Sequence, residues 1–150
     1  MNQSQFTDPP ANPQESACTG ITIDHVDDQQ PFLELTSDYL TNELTDITII
    51  NRTDPEDAVS FLETNNVDID CIVTDYAMGP LNGLEFYEQA KSLAPDIPFI
   101  LLTNEDPDAV VADAFEIGID SYIQKSSGTA NFSILANRIS ILVELYRQRQ

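Results

Sequence analysis

Three aspartates, a threonine and a lysine stand where apolar runs of this chain end. Asp27 and Asp28 follow the run ITIDHV, Asp75 follows CIVT, Thr103 follows FILL and Lys125 follows SYIQ. A carboxylate that closes a buried strand is costly to desolvate without a partner. Lys125 is one of only two lysines in the chain, the other being Lys91. Its place at the end of an apolar run, beside predicted acids, suits a counterion for a carboxylate or a phosphoryl group. Three close carboxylates repel one another and raise each other's pKa. A hard divalent cation removes that conflict, and Mg²⁺ accepts one or two carboxylates along with waters and phosphate oxygens. The remaining carboxylate can then attack phosphorus and form an aspartyl phosphate. Lys125 would neutralise a transferring oxygen and Thr103 would donate a hydrogen bond to it.

Each of these residues also has an ordinary explanation. Adjacent acids are common at this composition: about four or five pairs are expected by chance, and three occur, at Asp27-Asp28, Glu56-Asp57 and Glu105-Asp106. Asp75 alone would serve as a helix or turn cap, and Thr103 alone is an unremarkable strand residue. The set acquires meaning only if the fold brings its members to one edge.

The elements that must position them alternate between two periods. Short apolar strands are predicted at 21–26, 47–50, 69–74, 98–102 and 121–124. Between them lie helical patterns. One carries Phe32, Leu33, Leu35, Thr36, Tyr39 and Leu40 on a single face. The next opens at Asp54-Pro55 and turns Ala58, Phe61 and Leu62 inward. A third spans 84–93 with Leu84, Tyr87 and Ala90 on one side. A fourth opens at Asp106-Pro107, faces Val110, Val111, Ala114 and Phe115 inward and ends at Gly118. The last runs from about Thr129 to the C-terminus. Five strands alternating with five helices predict a parallel sheet covered on both faces, a doubly wound α/β fold of (βα)5 type. In such sheets functional groups gather at the carboxyl ends of the strands, where the five residues above fall. Asn51 and Arg52 end the second strand with no evident role.

The 150 residues fit one domain with a sizeable core. Residues 1–19 are polar, contain three prolines and show no period, and read as a disordered leader to a domain over 20–150. No apolar stretch is long enough to span a bilayer, and the first basic residue is Arg52, which excludes a signal or transit peptide. Cys18 and Cys71 lie in unlike surroundings, so no disulfide is expected and a cytoplasmic setting follows. The net charge is −20, from 26 acidic and six basic residues. That excludes a nucleic-acid partner and disfavours anionic membranes. Two explanations of the charge remain, an acidic binding surface for a basic partner and a salt-rich cytoplasm, where screening over about 3 Å at 1 M salt relieves self-repulsion; the scatter of the acids along the chain favours the second. The thermal midpoint is therefore expected to rise steeply between low salt and molar KCl. A midpoint that stays flat across that range would reject the halophilic reading.

Taken together, HVDD at 25–28, VTDYAMGPLNGLEF at 73–86, ILLTN at 100–104 and DSYIQK at 120–125 resemble the receiver domains of two-component signalling. The spacings agree as well: 47 residues from Asp28 to Asp75, 28 more to Thr103 and 22 more to Lys125. The resemblance implies a flavodoxin-like fold and phosphotransfer from a histidine kinase to Asp75. It implies that Asp27, Asp28, Asp75 and the main-chain carbonyl of Ala77 hold Mg²⁺, Asp27 mainly through a bound water. It implies that Thr103 and Lys125 contact the phosphoryl group, and that Thr103 and Tyr122 form the switch. Gly83 matches the glycine eight residues past the phosphoacceptor. The segment KSSGTANFSILANRI looks like receivers of halophilic archaea, which often precede sensory and kinase modules. Such a domain is a signalling phosphoacceptor rather than an enzyme in the ordinary sense. Its partners would be a histidine kinase, a downstream output or kinase module, and possible second copies in a homodimer.

Three positions depart from the pattern. Gly79 stands where proline is common, Ser126 replaces the proline after the lysine, and Asn104 replaces a small residue beside Thr103. None removes a reacting group. Three rivals compete with the reading. An unphosphorylated pseudo-receiver acting as a docking module would lose the acids, which are intact here. A flavodoxin needs a hydroxyl-rich phosphate loop where this chain has Asp27-Asp28. A haloacid-dehalogenase-type phosphatase needs a second aspartate where this chain has Ala77.

Overall fold

The computed structural model describes residues 20–64, 69–76, 81–103, 119–125 and 130–148. Five strands, β1 (Ile21–Val26), β2 (Ile47–Arg52), β3 (Cys71–Asp75), β4 (Phe99–Thr103) and β5 (Ser121–Gln124), form one parallel sheet in the order β2-β1-β3-β4-β5. The described residues include four helices, α1 (Gln30–Glu43), α2 (Pro55–Thr64), α3 (Gly83–Leu93) and α4 (Ala130–Gln148). This is the doubly wound, flavodoxin-like α/β architecture expected from the sequence. The leader at 1–19 and the helix expected from Asp106 to Gly118 lie outside the described residues.

The pleat sends successive side chains to opposite faces, and both faces are covered. On one, Ile21, Ile23, Val73, Ile100 and Ile123 meet Leu40 of α1 and Leu135, Ile139 and Val143 of α4. On the other, Val26, Ile72, Phe99 and Leu101 meet Ala58 of α2 and Phe86, Tyr87 and Ala90 of α3. Burial on two sides is why β3 and β4 read as unbroken apolar runs. Every residue of both strands is buried.

Local chemistry fixes the helix starts. Asp54 accepts a hydrogen bond from the Glu56 N–H at 2.9 Å, as the Asp-Pro pair predicts. Asn82 opens α3 with a capping box: its Oδ1 accepts from the Leu84 and Glu85 N–H groups, and the Glu85 carboxylate accepts from the Asn82 N–H at 3.0 Å.

Two predicted helix faces are rotated. Leu35 was placed on the inner face of α1 but is 57% exposed; the buried stripe is Leu33, Thr36 and Leu40. Thr36 can lie in that stripe because its hydroxyl donates to the Phe32 carbonyl at 2.7 Å. In α3 the inner face is Gly83, Phe86, Tyr87 and Ala90, and Leu84 is only partly buried. Phe86 and Tyr87 both set their rings edge-on against Phe99, at 5.7 and 4.9 Å between centroids, and that aromatic packing turns the helix.

β2 runs two residues further than predicted because its pairing with β1 continues to Val26 and Arg52. Arg52 therefore does have a role. Its Nε meets Asp24 Oδ1 at 2.8 Å, and its guanidinium lies 4.3 Å over the Phe61 ring. Asp24 is fully buried and its Oδ2 has no hydrogen-bond partner. Burial pushes the Asp24 carboxyl up to about 6, although Arg52 pulls the other way. A carboxyl raised in the folded state contributes stability that is complete below its ordinary value of 3.8 and is lost as the pH rises through about 6. Asp24→Asn, which keeps an acceptor for Arg52, is thus expected to melt higher than the native chain at pH 8. The gap should shrink at pH 5, and paired melting curves at the two values test it.

The end of α4 is moored on its own domain. Arg147 donates to the Gly20 carbonyl at 2.9 Å and lies 3.3 Å from Asp70 Oδ2, which also accepts from the Thr22 N–H. Val143 is fully buried, and Leu145 and Gln148 stay exposed. No helix among the described residues is long and apolar enough to cross a membrane.

Candidate functional site

β1 sits between β2 and β3, so the helices after β1 and β2 leave to opposite faces of the sheet. The crevice this opens at the carboxyl ends of β1 and β3 is where α/β sheets of this type bind ligands. Val26 is in register with Thr74. The next residues, Asp27 and Asp75, are thereby brought side by side. Each of Asp27, Asp28 and Asp75 offers a carboxylate oxygen within 4.8 Å of the others. Asp27 is fully buried, Asp75 nearly so, and Asp28 faces solvent.

Lys125 reaches this cluster from the end of β5. Its Nζ lies 2.6 Å from Asp27 Oδ2 and 3.3 Å from Asp75 Oδ1. The Lys125 N–H donates to the Thr103 carbonyl at 2.7 Å, which fixes where the side chain departs from the sheet. The other oxygen of Asp27 accepts from the Gln29 N–H at 2.9 Å, pinning the turn into α1. Thr103 is buried at the end of β4, the strand beside Asp75. Tyr122, paired with Leu101, lies partly buried against the core on the α2–α3 face. Ala77 lies outside the described residues. Of the residues singled out in the sequence, the fold thus gathers Asp27, Asp28, Asp75 and Lys125 by direct geometry and sets Thr103 on the neighbouring strand end.

Gly83 holds Asp75 in place from below. Its N–H donates to the Tyr76 carbonyl at 2.8 Å. A Cβ there would stand 2.5 Å from the Asp75 carbonyl oxygen, 2.9 Å from Leu101 Cδ1 and 3.0 Å from Tyr76 Cα. The backbone of α3 approaches the end of β3 so closely that no side chain fits.

Burial pushes the Asp75 carboxyl up to about 6; Lys125 pulls it down and the Asp27 charge raises it further. Desolvation outweighs a lysine that is shared with Asp27. The donor set is three carboxylates, all hard oxygen, which fits a hard divalent cation of the Mg²⁺ kind and not a soft metal.

Sequence reasoning missed the residues behind Lys125. Phe32 lies with its ring 4.2 Å from the ammonium. His25 is buried with neither ring nitrogen hydrogen-bonded, and burial, helped by Lys125, lowers its pKa to about 3. It meets Phe32 edge-on at 6.0 Å. Phe32 had been read only as an apolar helix residue, and nothing in its spacing marks it as facing a cation.

The five-stranded parallel sheet thus carries an acid triad at its switch point, with a lysine reaching it from the end of β5. The family model for the response regulator receiver domain matches residues 23–136, and the chain belongs to that family. It is 27% identical over 124 residues to the response regulator SaeR of Staphylococcus aureus, a match that covers 83% of this chain and 52% of SaeR. The chain spans about half the length of the curated relatives it matches. Among solved structures, a response regulator receiver domain protein from Clostridium thermocellum superposes with a TM-score of 0.77 at 18% identity, covering 87% of this chain and 99% of that one. A CheY-like receiver domain protein from Methanospirillum hungatei gives a TM-score of 0.73 at 21% identity, covering 87% and 98%.

Proposed function

We propose that this receiver accepts a phosphoryl group on Asp75, from a histidine kinase, with Mg²⁺ held by Asp27, Asp28, Asp75 and the main-chain carbonyl of Ala77. The observation that carries the reading is the meeting of three carboxylates within 4.8 Å, with Lys125 bridging Asp27 and Asp75. Such a cluster is self-repelling alone and becomes favourable around a cation and a phosphoryl group. Bound there, Mg²⁺ supplies positive charge to the phosphoryl oxygens. An Asp75 carboxylate oxygen forms the new bond to phosphorus, and the bond from phosphorus to the donor breaks. The leaving group departs with the electron pair and takes a proton. Lys125 neutralises one phosphoryl oxygen, and the Thr103 hydroxyl hydrogen-bonds to another. Movement of Thr103 toward the phosphate and of Tyr122 inward would then alter the surface near β5 and α4 that a partner reads. The −20 charge supports a salt-rich cytoplasm as the working environment.

Incubation with acetyl phosphate in high salt tests this. Intact-mass spectrometry is expected to show one added phosphate that requires Mg²⁺, survives acid and is lost in base. Chelation should abolish uptake. Lys125→Ala should slow it by about 10- to 100-fold, since one charge-neutralising contact in the transition state is removed. No uptake by the native protein would sink the proposal.

A further inference from the structure

Lys125 is held from two sides. Asp27 and Asp75 lie on one, at 2.6 and 3.3 Å, and the face of Phe32 lies on the other, 4.2 Å from the ammonium. The Lys125 side chain is only 7% exposed, so little water competes for the cation. Phe32 is itself braced, with Phe132 of α4 at 5.8 Å and the edge of His25 at 6.0 Å. Phe132 in turn stacks against Tyr39 at 5.4 Å. The ring therefore has a fixed backing from β1, α1 and α4.

We infer that Phe32 is a positioning residue for phosphoryl transfer, its ring face holding the Lys125 ammonium at the site when the carboxylates turn to a cation. The inference rests on the proposed chemistry at Asp75. Its logic is charge. Asp27 and Asp75 are both in the predicted ligand set, so the two anions that now hold Lys125 are the ones a divalent cation claims. A lysine left with no partner would gain rotamer freedom and swing to solvent. An aromatic face attracts the ammonium through its quadrupole, carries no net charge, and so does not cancel the charge that an incoming phosphoryl oxygen must meet. Phe32 sits at the start of α1, two residues after the Gln29–Gln30 entry to the helix, and is not among the carboxylates that would bind the metal.

Phe32→Leu keeps apolar bulk and removes the ring face; Phe32→Met is the alternative if the leucine variant folds poorly; Phe32→Tyr keeps the face. With acetyl phosphate and saturating Mg²⁺, the leucine and methionine variants are expected to show a maximal phosphorylation rate about three- to tenfold lower. Mg²⁺ affinity, followed by tyrosine fluorescence, should be unchanged, and Phe32→Tyr should restore the rate. In proton NMR the Lys125 ε-methylene signals should lie upfield from ring current in the native protein and move to the ordinary lysine position in Phe32→Leu, with strand amide shifts unaltered. Native rates in Phe32→Leu with Mg²⁺ binding intact would overturn the inference while leaving Asp75 as acceptor. Absence of phosphate uptake in the native protein would instead remove the functional reading, and the NMR comparison would still report whether the ring holds the lysine.

Discussion

Asp75→Asn is expected to take up no phosphate from acetyl phosphate under conditions in which the native protein gains one. An amide has no anionic oxygen to attack phosphorus. Neighbouring acids are poor substitutes: Asp27 is buried beneath Lys125 and bonded to the Gln29 N–H, and Asp28 is exposed. The same substitution should raise the melting temperature of the cation-free protein at pH 8. Asp75 is nearly buried and lies beside two further carboxylates, with its lysine shared with Asp27. Replacing an ion there by a neutral isostere removes desolvation and repulsion, on the order of 1–3 kcal/mol, or several degrees in midpoint. Added Mg²⁺ should stabilise the native chain more than the variant and narrow the gap. Mass spectrometry and melting curves with chelator or Mg²⁺ check both parts. Phosphate uptake that persists in Asp75→Asn would remove Asp75 as the acceptor, and an unchanged midpoint would show that its charge is better compensated than the geometry implies.

Gly83→Ala should be strongly damaging for so small a substitution. The added methyl meets backbone on two sides, the Asp75 carbonyl oxygen at 2.5 Å and Tyr76 Cα at 3.0 Å, where no rotamer change can relieve it. Either α3 moves away from β3, breaking the Gly83 N–H bond to the Tyr76 carbonyl, or the end of β3 shifts and carries Asp75 with it. Overpacking of this kind costs about 2–4 kcal/mol, a midpoint lower by roughly 10 °C for a domain of this size. Phosphate uptake should slow as well, because displacement of a reacting atom by a fraction of an ångström is enough to cost rate. A variant that melts within two or three degrees of the native protein, by calorimetry under matched salt, would mean that α3 is not seated as described.

The alternation of strand and helix patterns, and the polar residue closing each strand, were legible in the chain because the two backbone periods and the cost of burying charge act locally. Asp27, Asp28, Asp75, Thr103 and Lys125 announced themselves by standing at the ends of apolar runs, and parallel pairing alone suffices to bring such ends to one edge. Which face of a helix turns inward was less legible. Leu33 competes with Leu35 in α1, and Leu84 with Phe86 in α3, as apolar residues two apart, and only packing on the sheet, against Phe99 in the case of α3, decided between them. Asp24 and Arg52 gave no signal, since an ion pair between residues 28 apart depends on the β1–β2 register. Phe32 looked like one more apolar helix residue, and its place over Lys125 arises from contacts spanning most of the chain. The sequence by itself determined the order of elements, the chemistry available at the strand ends and the acidic surface, because these follow from local periodicity and composition. The tertiary structure alone decided how the charges are shared: Lys125 closer to Asp27 than to Asp75, and Asp75 raised by burial. Desolvation and distance belong to the packed state and have no counterpart along the chain.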